Sequence, residues 1–543
     1  MASHVVVRRD SYHDSVLLMR ISREVKALAG VVDAVVAMGT PNNRELLVKN
    51  GYDGAALASA TANDLVIALK LEGTTLLHIE AAIDRLLAAR PQVQTDEVRP
   101  TSLNGAVKLH PDANLVLISL PGELAGREAR RALRLGRHVM LFSDNVSIEE
   151  EVALKKDAAA RGLLLMGPDC GTAILNGKPL AFANVVRRGS IGMVGAAGTG
   201  IQEVSSCIHR LGGGVSQAIG TGGRDLCEAV GGSMMLLGIE ALAADPATRV
   251  LVVVSKPPAP AVADKVVAAV EGAHKPAVIH FVGAQIPPNG RRGEVRFADS
   301  LAGTAELACR LAGIKGAARS MPGFDEELVA RLRGKISKNN SLRGLFCGGT
   351  TGAEALVLLS RAGLSVRSNL HKKGDLKVSG TERLDGHVLL DLGDDVFTQG
   401  RPHPMIEPAL RNERLAIELE DESVGVLLFD LVLGHGSHED PAGVLVDVVR
   451  EALAKRRHLV AIASITGTDA DPQGFDDQRQ KLVDAGIVVM PDNRWASLLA
   501  AAILAPAPQK PGKRRQGVRR APSRAKRRAK NVGIKSSRKG GRP

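Results

Sequence analysis

Short apolar runs rich in β-branched residues alternate with amphipathic helical patterns along most of the chain. This alternation is typical of βαβ units, in which helices cover both faces of a parallel sheet. The predicted strands are His4–Val7, Val31–Met38, Asn114–Leu120, Val139–Phe142, Leu163–Met166, Ile191–Val194, Val215–Ile219, Val250–Val254, Ala277–Phe281, Leu345–Cys347, Val388–Leu392, Val424–Leu433, Leu459–Ser464 and Ile487–Met490. The pattern therefore predicts an α/β protein with three Rossmann-like or flavodoxin-like parallel-sheet domains.

The 543 residues divide into four segments. Since domains average about 150 residues, three or four are expected for this length. We place the three folded domains at residues 1–185, 186–318 and 335–505, with a linker rich in Lys, Arg, Gly and Ser before the third. Residues 506–543 form the fourth segment, which we expect to be a disordered basic tail because it has few apolar anchors.

The net charge of +13 comes from that tail. Residues 506–543 contain 15 Lys or Arg and no acid, which leaves 56 basic and 58 acidic residues, a net charge of −2, in the rest of the chain. Such a tail is expected to bind polyanions without sequence preference, through counterion release. The alternative is a solvated tail with no binding role.

Composition excludes several functional classes. Aromatic residues make up only 2%, which argues against base-stacking nucleic-acid readers, whereas 45% hydrophobic residues suffice for large cores. No apolar run reaches the ~20 residues that span a bilayer, and the N-terminus lacks a signal-peptide pattern, so we expect no membrane association. The five cysteines are scattered without a CxxC pair, which favours a reduced cytoplasmic location and no structural metal site.

Residues 191–225 carry the most informative pattern: strand, glycine loop, helix, strand and second glycine loop. The first loop contains Gly195, Gly198, Thr199 and Gly200, and the second contains Gly222 and Gly223. Glycine lets backbone N–H groups approach an anion, and a helix N-terminus adds partial positive charge. The pattern predicts a phosphate or carboxylate site at the carboxyl edge of a sheet. A plain connector is the alternative for the first loop.

Nine predicted strand ends carry small, polar or glycine-rich loops, including residues 348–350, which favours one shared ligand surface for a long phosphorylated ligand. His403, in a proline-flanked loop beside Arg401, is a candidate base or anion clamp, or a structural turn. Asp394 and Asp395 follow a strand and would either bind Mg²⁺ or cap a helix. Cys170 has no histidine near it in sequence, so we expect a small loop residue rather than a nucleophile.

Seven longer motifs resemble one family. They are MGTPNN (38–43), FSDNVSIEEE (142–151), MGPDCGT (166–172), GTGGRDL (220–226), VSKPP (254–258), LDLGDD (390–395) and GRPHPMI (400–406). Over roughly residues 5–505 the chain resembles the FdrA family of acyl-CoA-synthetase-like proteins, related to succinyl-CoA synthetase. The resemblance implies a CoA-binding first domain, a ligase second domain and a third domain like that of the β subunit.

The resemblance also implies particular site residues. Ser143, Asp144 and Asn145 would form the loop that meets CoA, and the helix that starts at residues 198–200 would be one of two whose N-termini hold phosphate. The phosphorylatable histidine of the ligases is missing from residues 287–295, where Arg291 and Arg292 remain. Lys256 stands where the ligases have a glutamate near that histidine, so it would bind an anionic substrate beside the two arginines.

These features lead to three alternatives. The first is a CoA-ligase-like enzyme subunit that binds CoA or an acyl phosphate and transfers an acyl group, without an ATP-grasp domain. The second is a subunit of an oxamate carbamoyltransferase that uses carbamoyl phosphate in allantoin catabolism, as the family implies. The third is a non-catalytic CoA-binding regulatory subunit. In each case we expect a small-molecule ligand and a hetero-oligomer with other subunits.

Overall fold

The computed structural model describes residues 2–13, 15–49, 51–88, 100–315, 323–336, 340–380, 384–398, 402–456 and 458–505. The predicted basic tail and Arg401 lie outside these ranges. Among the helices within them, none is long and apolar enough to cross a membrane.

The N-terminal region forms a small antiparallel sheet. Its elements are β1 (Ala2–Arg8), α1 (Ser15–Lys26), β2 (Val31–Met38), α2 (Pro41–Lys49), α3 (Gly54–Leu57), β3 (Leu65–Leu71) and α4 (Leu76–Ala88). The strand order is β1-β3-β2, and β3 runs antiparallel to both neighbours. The two predicted strands are confirmed, but the parallel sheet predicted for them is wrong here, because the unpredicted β3 lies between them.

A three-stranded parallel sheet follows. It contains α5 (Leu103–Leu109), β4 (Leu115–Ile118), α6 (Gly122–Arg134), β5 (His138–Leu141), α7 (Ile148–Ala160) and β6 (Leu165–Met166). The order is β4-β5-β6, with every strand parallel to its neighbour. The Ser147 hydroxyl accepts from the backbone N–H of Glu150, 3.2 Å away, which fixes the start of α7.

The largest sheet has eight strands. Its elements are β7 (Thr172–Leu175), β8 (Lys178–Ala181), β9 (Arg188–Ala196), α8 (Gly198–Arg210), β10 (Val215–Gly220), α9 (Ser233–Ala244), β11 (Val250–Ser255), α10 (Pro260–Gly272), β12 (Ala277–Phe281), β13 (Arg291–Arg292), β14 (Val295–Phe297) and α11 (Leu301–Leu311). The order is β13-β14-β12-β11-β9-β10-β7-β8. Its five central strands are parallel, and β11 is buried along its whole length because helices cover both faces.

The last sheet is parallel throughout. It is built from α12 (Glu326–Arg333), β15 (Ser341–Phe346), α13 (Gly349–Arg361), β16 (Val366–Ser368), β17 (His387–Asp391), α14 (Asp395–Thr398), α15 (Ala409–Leu419), β18 (Val424–Val432), α16 (Gly443–Lys455), β19 (Val460–Thr466), α17 (Phe475–Asp484), β20 (Val488–Met490) and α18 (Asn493–Leu504). The order is β16-β17-β15-β18-β19-β20. The α/β class with several parallel sheets is confirmed. Where independently folding domains begin and end remains a prediction.

A buried lysine joins the second and third of these sheets. Lys155 on α7 is 1% exposed, and its Nζ lies 2.8 Å from Asp225 Oδ1 and 2.9 Å from Glu151 Oε1. It also donates to the carbonyl oxygen of Thr221, 2.9 Å away. The loop after β10 is therefore anchored to α7 by charge as well as by packing.

We predict that Lys155→Met destabilises the fold by about 3–5 kcal/mol, because buried Asp225 loses its cation and buried Glu151 keeps only Arg224. Urea unfolding followed by circular dichroism measures the change in the free energy of unfolding. Lys156→Met is the matched control, since Lys156 is the exposed neighbour on the same helix, and its effect should stay within about 0.5 kcal/mol. Equal effects of the two substitutions would contradict the assignment.

Candidate functional site

The first glycine loop ends in an uncapped helix N-terminus. Strand β9 runs through Gly195 to Ala196, and α8 starts at Gly198 with no side-chain cap. Within the described chain, no acceptor is recorded for the backbone N–H groups of residues 198–200. Gly198 is partly exposed although its neighbours are buried. These three N–H groups and the helix dipole are suited to an anion, so the predicted site at this loop stays a candidate.

A second helix N-terminus lies directly opposite. The backbone N–H of Thr350 on α13 donates to Thr199 Oγ1, 3.1 Å away. A Cβ on Gly200 would lie 2.9 Å from Thr350 Cγ2, so the two helices approach closely because residue 200 is glycine. Gly349 is partly exposed, like Gly198. Two positive helix ends therefore face one point between the two large sheets.

The start of α13 is shaped by a buried carboxylate. Asp430, at the end of β18, accepts from the backbone N–H groups of Cys347 and Gly348, at 2.7 and 2.9 Å, and from the Thr351 hydroxyl at 2.7 Å. Its two oxygens are thereby both engaged. The N–H groups of Gly349 and Thr351 have no recorded acceptor in the described ranges, so they remain for a ligand.

Two buried glutamates hold the helix pair in place, each bonded to the opposite sheet's last helix. Glu203 on α8 accepts from Thr466 Oγ1 and, at 3.4 Å, from the backbone N–H of Asn493, the first residue of α18. Glu354 on α13 accepts from the backbone N–H of Leu301, the first residue of α11, at 2.6 Å. Asn493 Nδ2 also donates to Glu354, 2.7 Å away. Burial raises the pKa of Glu203, and raises that of Glu354 to about 8.

Lys256 and Asp391 lie beside the N-terminus of α13. Lys256 follows β11, and Asp391 ends β17, so both come from carboxyl ends of parallel strands. A Cβ on Gly349 would lie 2.5 Å from Asp391 Oδ2 and 3.1 Å from Lys256 Nζ. Burial raises the pKa of Asp391 to about 6, and the charge of Lys256 opposes that rise. Lys256 therefore lies beside the N-terminus of α13, and its anion-binding role stays a prediction.

An acidic cluster of Asp169, Asp144 and Asp395 lies in the electrostatic neighbourhood of Lys256. Asp169 is exposed. Desolvation by the surrounding protein nevertheless raises its pKa to about 6; Asp144 and Asp395 reinforce that rise, and Lys256 opposes it. Arg224 is a second cation beside these acids, and its Nε also lies 2.8 Å from Glu151 Oε2.

The loop predicted to meet CoA contributes Asp144 to this acidic cluster. The Ser143 hydroxyl accepts from the backbone N–H of Leu120 at 3.0 Å, and the Ser143 carbonyl accepts from that of Asp169 at 3.0 Å. Asp144 and Asn145 are exposed, and their carbonyl oxygens lie so close to Gly122 that a Cβ there would clash. The Ser143 hydroxyl thus holds the loop in shape, and the Asp144 side chain adds negative charge.

The second glycine loop packs closely against the backbone near Pro168. Gly222 has φ of +85°, and a Cβ there would lie 2.4 Å from the Pro168 carbonyl oxygen. Asp225 is bonded to Lys155 and to the backbone N–H of Met235. Gly223 lies beside Asp169, since its Cβ position is 3.8 Å from Asp169 Oδ2. The loop is thus anchored to its neighbours, and its predicted role in anion binding stays a prediction.

Arg291 and Arg292 do not lie at the site, which corrects their predicted place beside Lys256. Both are exposed on the edge strand β13, and Arg292 Nε lies 3.1 Å from Glu271 Oε1. Through the strand register, Arg292 is level with Leu251 near the start of β11. Lys256 is five residues further along, about 16 Å at the usual rise per residue. The sequence pattern could not show this distance, because it does not give the register of the strands.

His403 lies near the Asp391 turn. Its Nδ1 accepts from the backbone N–H of Met405, 3.2 Å away, and its ring centroid is 5.8 Å from that of Phe182. The position of a Cβ on Gly393 is 2.5 Å from Nε2. Burial lowers the pKa of His403 to about 4, so the ring is neutral at pH 7. It is suited to donate a hydrogen bond from Nε2 and poorly suited to act as a base.

The remaining candidates have structural partners. Asp394 Oδ1 accepts from the backbone N–H of Val396, 3.1 Å away, as a turn-forming cap. Burial raises the pKa of Cys170 to about 12, which keeps the thiol protonated. In the ranges that the structure describes, no three His, Cys, Asp or Glu side chains are grouped so that they could hold a metal ion. Asp391, Asp430 and Glu354 were not predicted as site residues. The Gly-Gly-Thr loop at residues 348–350, which resembles the first glycine loop, was the signal in the sequence that pointed to this position.

Three family models match separate parts of the chain. They are "AllF, heavy metal-associated domain" over residues 1–101, "CoA binding domain" over 186–283 and "CoA-ligase" over 345–503. The cysteines all follow residue 169, so residues 1–101 have no thiolate for a soft metal and do not fit such an ion.

Curated relatives cover most or part of the chain. YahF of Escherichia coli K12, described as uncharacterized, is 42% identical over 92% of this chain and 98% of its own length. The succinate–CoA ligase [ADP-forming] subunit alpha-2 of Trichomonas vaginalis is 28% identical over 41% of this chain and 76% of its own. ATP citrate lyase from Methanothrix soehngenii, solved with citrate and coenzyme A, has a TM-score of 0.34 at 14% identity, over 74% and 83% of the two chains, which is too low to support an argument.

We predict that His403→Gln weakens the acid sensitivity of the fold. The native ring stays neutral down to pH 4, whereas an unfolded histidine binds a proton below about pH 6.5. Stability should therefore fall as pH drops from about 6.5 to 4, by up to ~3 kcal/mol from this residue. Urea unfolding at pH 7 and pH 4.5 should show a smaller difference for the variant than for the wild type. The exposed His110→Gln is the control, and an unchanged difference in both variants would refute the assignment.

Proposed function

The chain belongs to the succinyl-CoA synthetase-like protein family, together with YahF, and from that premise we propose that it transfers an acyl-type group from an acyl phosphate. The observation that supports this most directly is the opposition of the α8 and α13 N-termini, joined by the Thr350–Thr199 hydrogen bond. We place the substrate's phosphate between them, against the unbonded N–H groups and Lys256. We assign the chain to the FdrA branch of the family as part of the same proposal.

The position of the loop after β12 favours a phosphate carried by a substrate rather than by the protein. In this chain that loop has no histidine, and it packs along the side of α13: a Cβ on Gly283 would lie 3.0 Å from Val357 Cγ2. Arg361, in the last turn of α13, approaches the Ala284 carbonyl oxygen at 3.4 Å. The start of this loop therefore lies beside the middle and the C-terminal end of α13, away from the helix N-termini.

The proposed reaction needs no phosphorylated enzyme. A nucleophile attacks the carbonyl carbon of the acyl phosphate, a bond forms between them, and the carbon–oxygen bond to phosphate breaks. The phosphate leaves with the electron pair of that bond. Two helix N-termini and Lys256 stabilise the added negative charge, and each helix end contributes about 0.3–2 kcal/mol in such geometries.

Coenzyme A fits the loop at residues 143–145 poorly. The Ser143 hydroxyl is already bonded, and Asp144, Asp169 and Asp395 form an acidic cluster there, whereas CoA carries phosphates. Arg224 is the cation that would offset them. The family-model match at residues 186–283 keeps CoA as a ligand to be tested, and we derive no step through it.

We also propose that the chain acts as one subunit of a cytoplasmic hetero-oligomer. Two relatives that it matches are named as alpha subunits of succinate–CoA ligases, and the third matching segment is a CoA-ligase model.

We predict that Lys256→Met lowers the affinity for inorganic phosphate and for acetyl phosphate about 10- to 100-fold, because a charge-assisted contact is lost. Isothermal calorimetry at pH 7.5 measures the affinity, with CoA and carbamoyl phosphate as further ligands. Lys265→Met, on the exposed face of α10, is the control and should bind as the wild type does. Carbamoyl phosphate binding without CoA binding would favour the carbamoyl alternative.

Incubation of the chain with γ-³²P-ATP should leave no acid-labile protein phosphate, since the phosphate is proposed to stay on the substrate. The same reaction with a succinate–CoA ligase serves as a positive control. Recovery of phosphohistidine from this chain would overturn the proposal, and so would a wild type that binds none of the phosphorylated ligands.

A further inference from the structure

A buried carboxylate oxygen in the candidate site has no partner. Asp391 is 5% exposed, and its backbone is held by two hydrogen bonds of 2.9 Å to the Asn369 amide. Its Oδ1 accepts from the backbone N–H of Gly393 at 3.0 Å. In the described part of the chain no donor is recorded for Oδ2, which is also not among the atoms sealed from solvent. A buried oxygen that has no hydrogen-bond donor is suited to accept a hydrogen bond from a ligand.

Asp391 Oδ2 lies next to the groups that we propose bind the phosphate. Oδ2 and Lys256 Nζ lie 2.5 and 3.1 Å from the position of a Cβ on Gly349, at the start of α13. Asp430 also lies beside this loop, but both its oxygens are bonded to the chain. Among the carboxylates around α13, Asp391 therefore combines burial with a free lone pair directed at the site.

We propose that Asp391 is a further catalytic residue, the base that takes the proton of the attacking nucleophile. Its Oδ2 accepts a hydrogen bond from the thiol, amine or hydroxyl of the acceptor. As the new bond to the carbonyl carbon forms and the phosphate leaves, the acceptor's proton moves to Oδ2 and is later released to water. This inference rests on the proposed function, because the acyl phosphate must bind beside Lys256 for the acceptor to reach its carbonyl carbon.

The charges around Asp391 suit a base. Burial is the main cause that raises its pKa; Lys256 from the β11 side lowers it, and Asp394 on its own loop and Asp430 near the end of β18 raise it further. The resulting pKa of about 6 makes Asp391 a carboxylate at pH 7 with more basicity than an exposed aspartate. The rate should therefore fall as the pH drops below about 6, where Asp391 becomes protonated.

The test compares the wild type with Asp391→Asn in acyl transfer from acetyl phosphate to two acceptors across pH 5–8. The first acceptor is N-acetylcysteamine, a small thiol that must lose a proton, and thioester formation is followed by absorbance. The second is hydroxylamine, which attacks as a neutral amine. We expect Asp391→Asn to slow transfer to the thiol about 10²–10⁴-fold and to remove the acid limb of the pH profile. Transfer to hydroxylamine should fall less than about tenfold, because this nucleophile needs less help from a base.

Asp394→Asn is the second variant, because it removes one of the charges that raise the Asp391 pKa while asparagine can keep the cap on Val396. It should move the acid limb to lower pH and leave the plateau rate unchanged. Thiol transfer by Asp391→Asn within about threefold of the wild type, with its acid limb intact, would overturn the inference.

Calorimetry with inorganic phosphate separates this inference from the proposed function. Asp391→Asn should bind phosphate as tightly as the wild type or more tightly, since a negative charge is removed next to Lys256. Phosphate binding by both proteins with unchanged thiol transfer refutes the base alone, whereas a wild type that binds no phosphate refutes the proposed function.

Discussion

The crosswise hydrogen bonds of two buried glutamates determine where the site lies. Glu203 lies on α8, which packs on the eight-stranded sheet, and is hydrogen-bonded to α18 of the last sheet. Glu354 lies on α13, which packs on the last sheet, and is hydrogen-bonded to α11 of the eight-stranded sheet. A buried carboxyl group is costly unless it is hydrogen-bonded, so neither helix can shift without leaving one unsatisfied. The Thr199–Thr350 contact, and the gap that the two helix ends face, follow from this pair.

The local pattern was sufficient for most of the elements but not for how they pair. Strands with continuous apolar runs, such as β18, were predicted because both faces are buried. The antiparallel N-terminal sheet was not, because its central strand β3 was not recognised. Likewise, the pattern identified the glycine loop before α8 and the loop at 348–350 separately. Nothing local connects Thr199 with Thr350, which are 151 residues apart.

Strand direction and register explain which residues lie at the candidate site and which do not. Lys256 and Asp391 directly follow or end parallel strands, and such positions converge at one edge of a sheet. Arg291 and Arg292 precede β14 on an antiparallel edge strand, so they lie at the other end. Sequence distance from a strand end is informative only when the strand's direction is known, and the arginines' edge strand was not predicted.

The electrostatics of the site favour a ligand with two different ends. Two helix N-termini and Lys256 attract an anion, whereas Asp169 and Asp391 are negative once they ionise above about pH 6 and repel it. A simple phosphate would leave both carboxylates without a compensating donor. An acyl phosphate together with an acceptor that brings a hydrogen places charge at the helix ends and the donor at the carboxylate. The two carboxylates then make the site selective, because a ligand that supplies only negative charge leaves the free Asp391 oxygen without a hydrogen-bond donor.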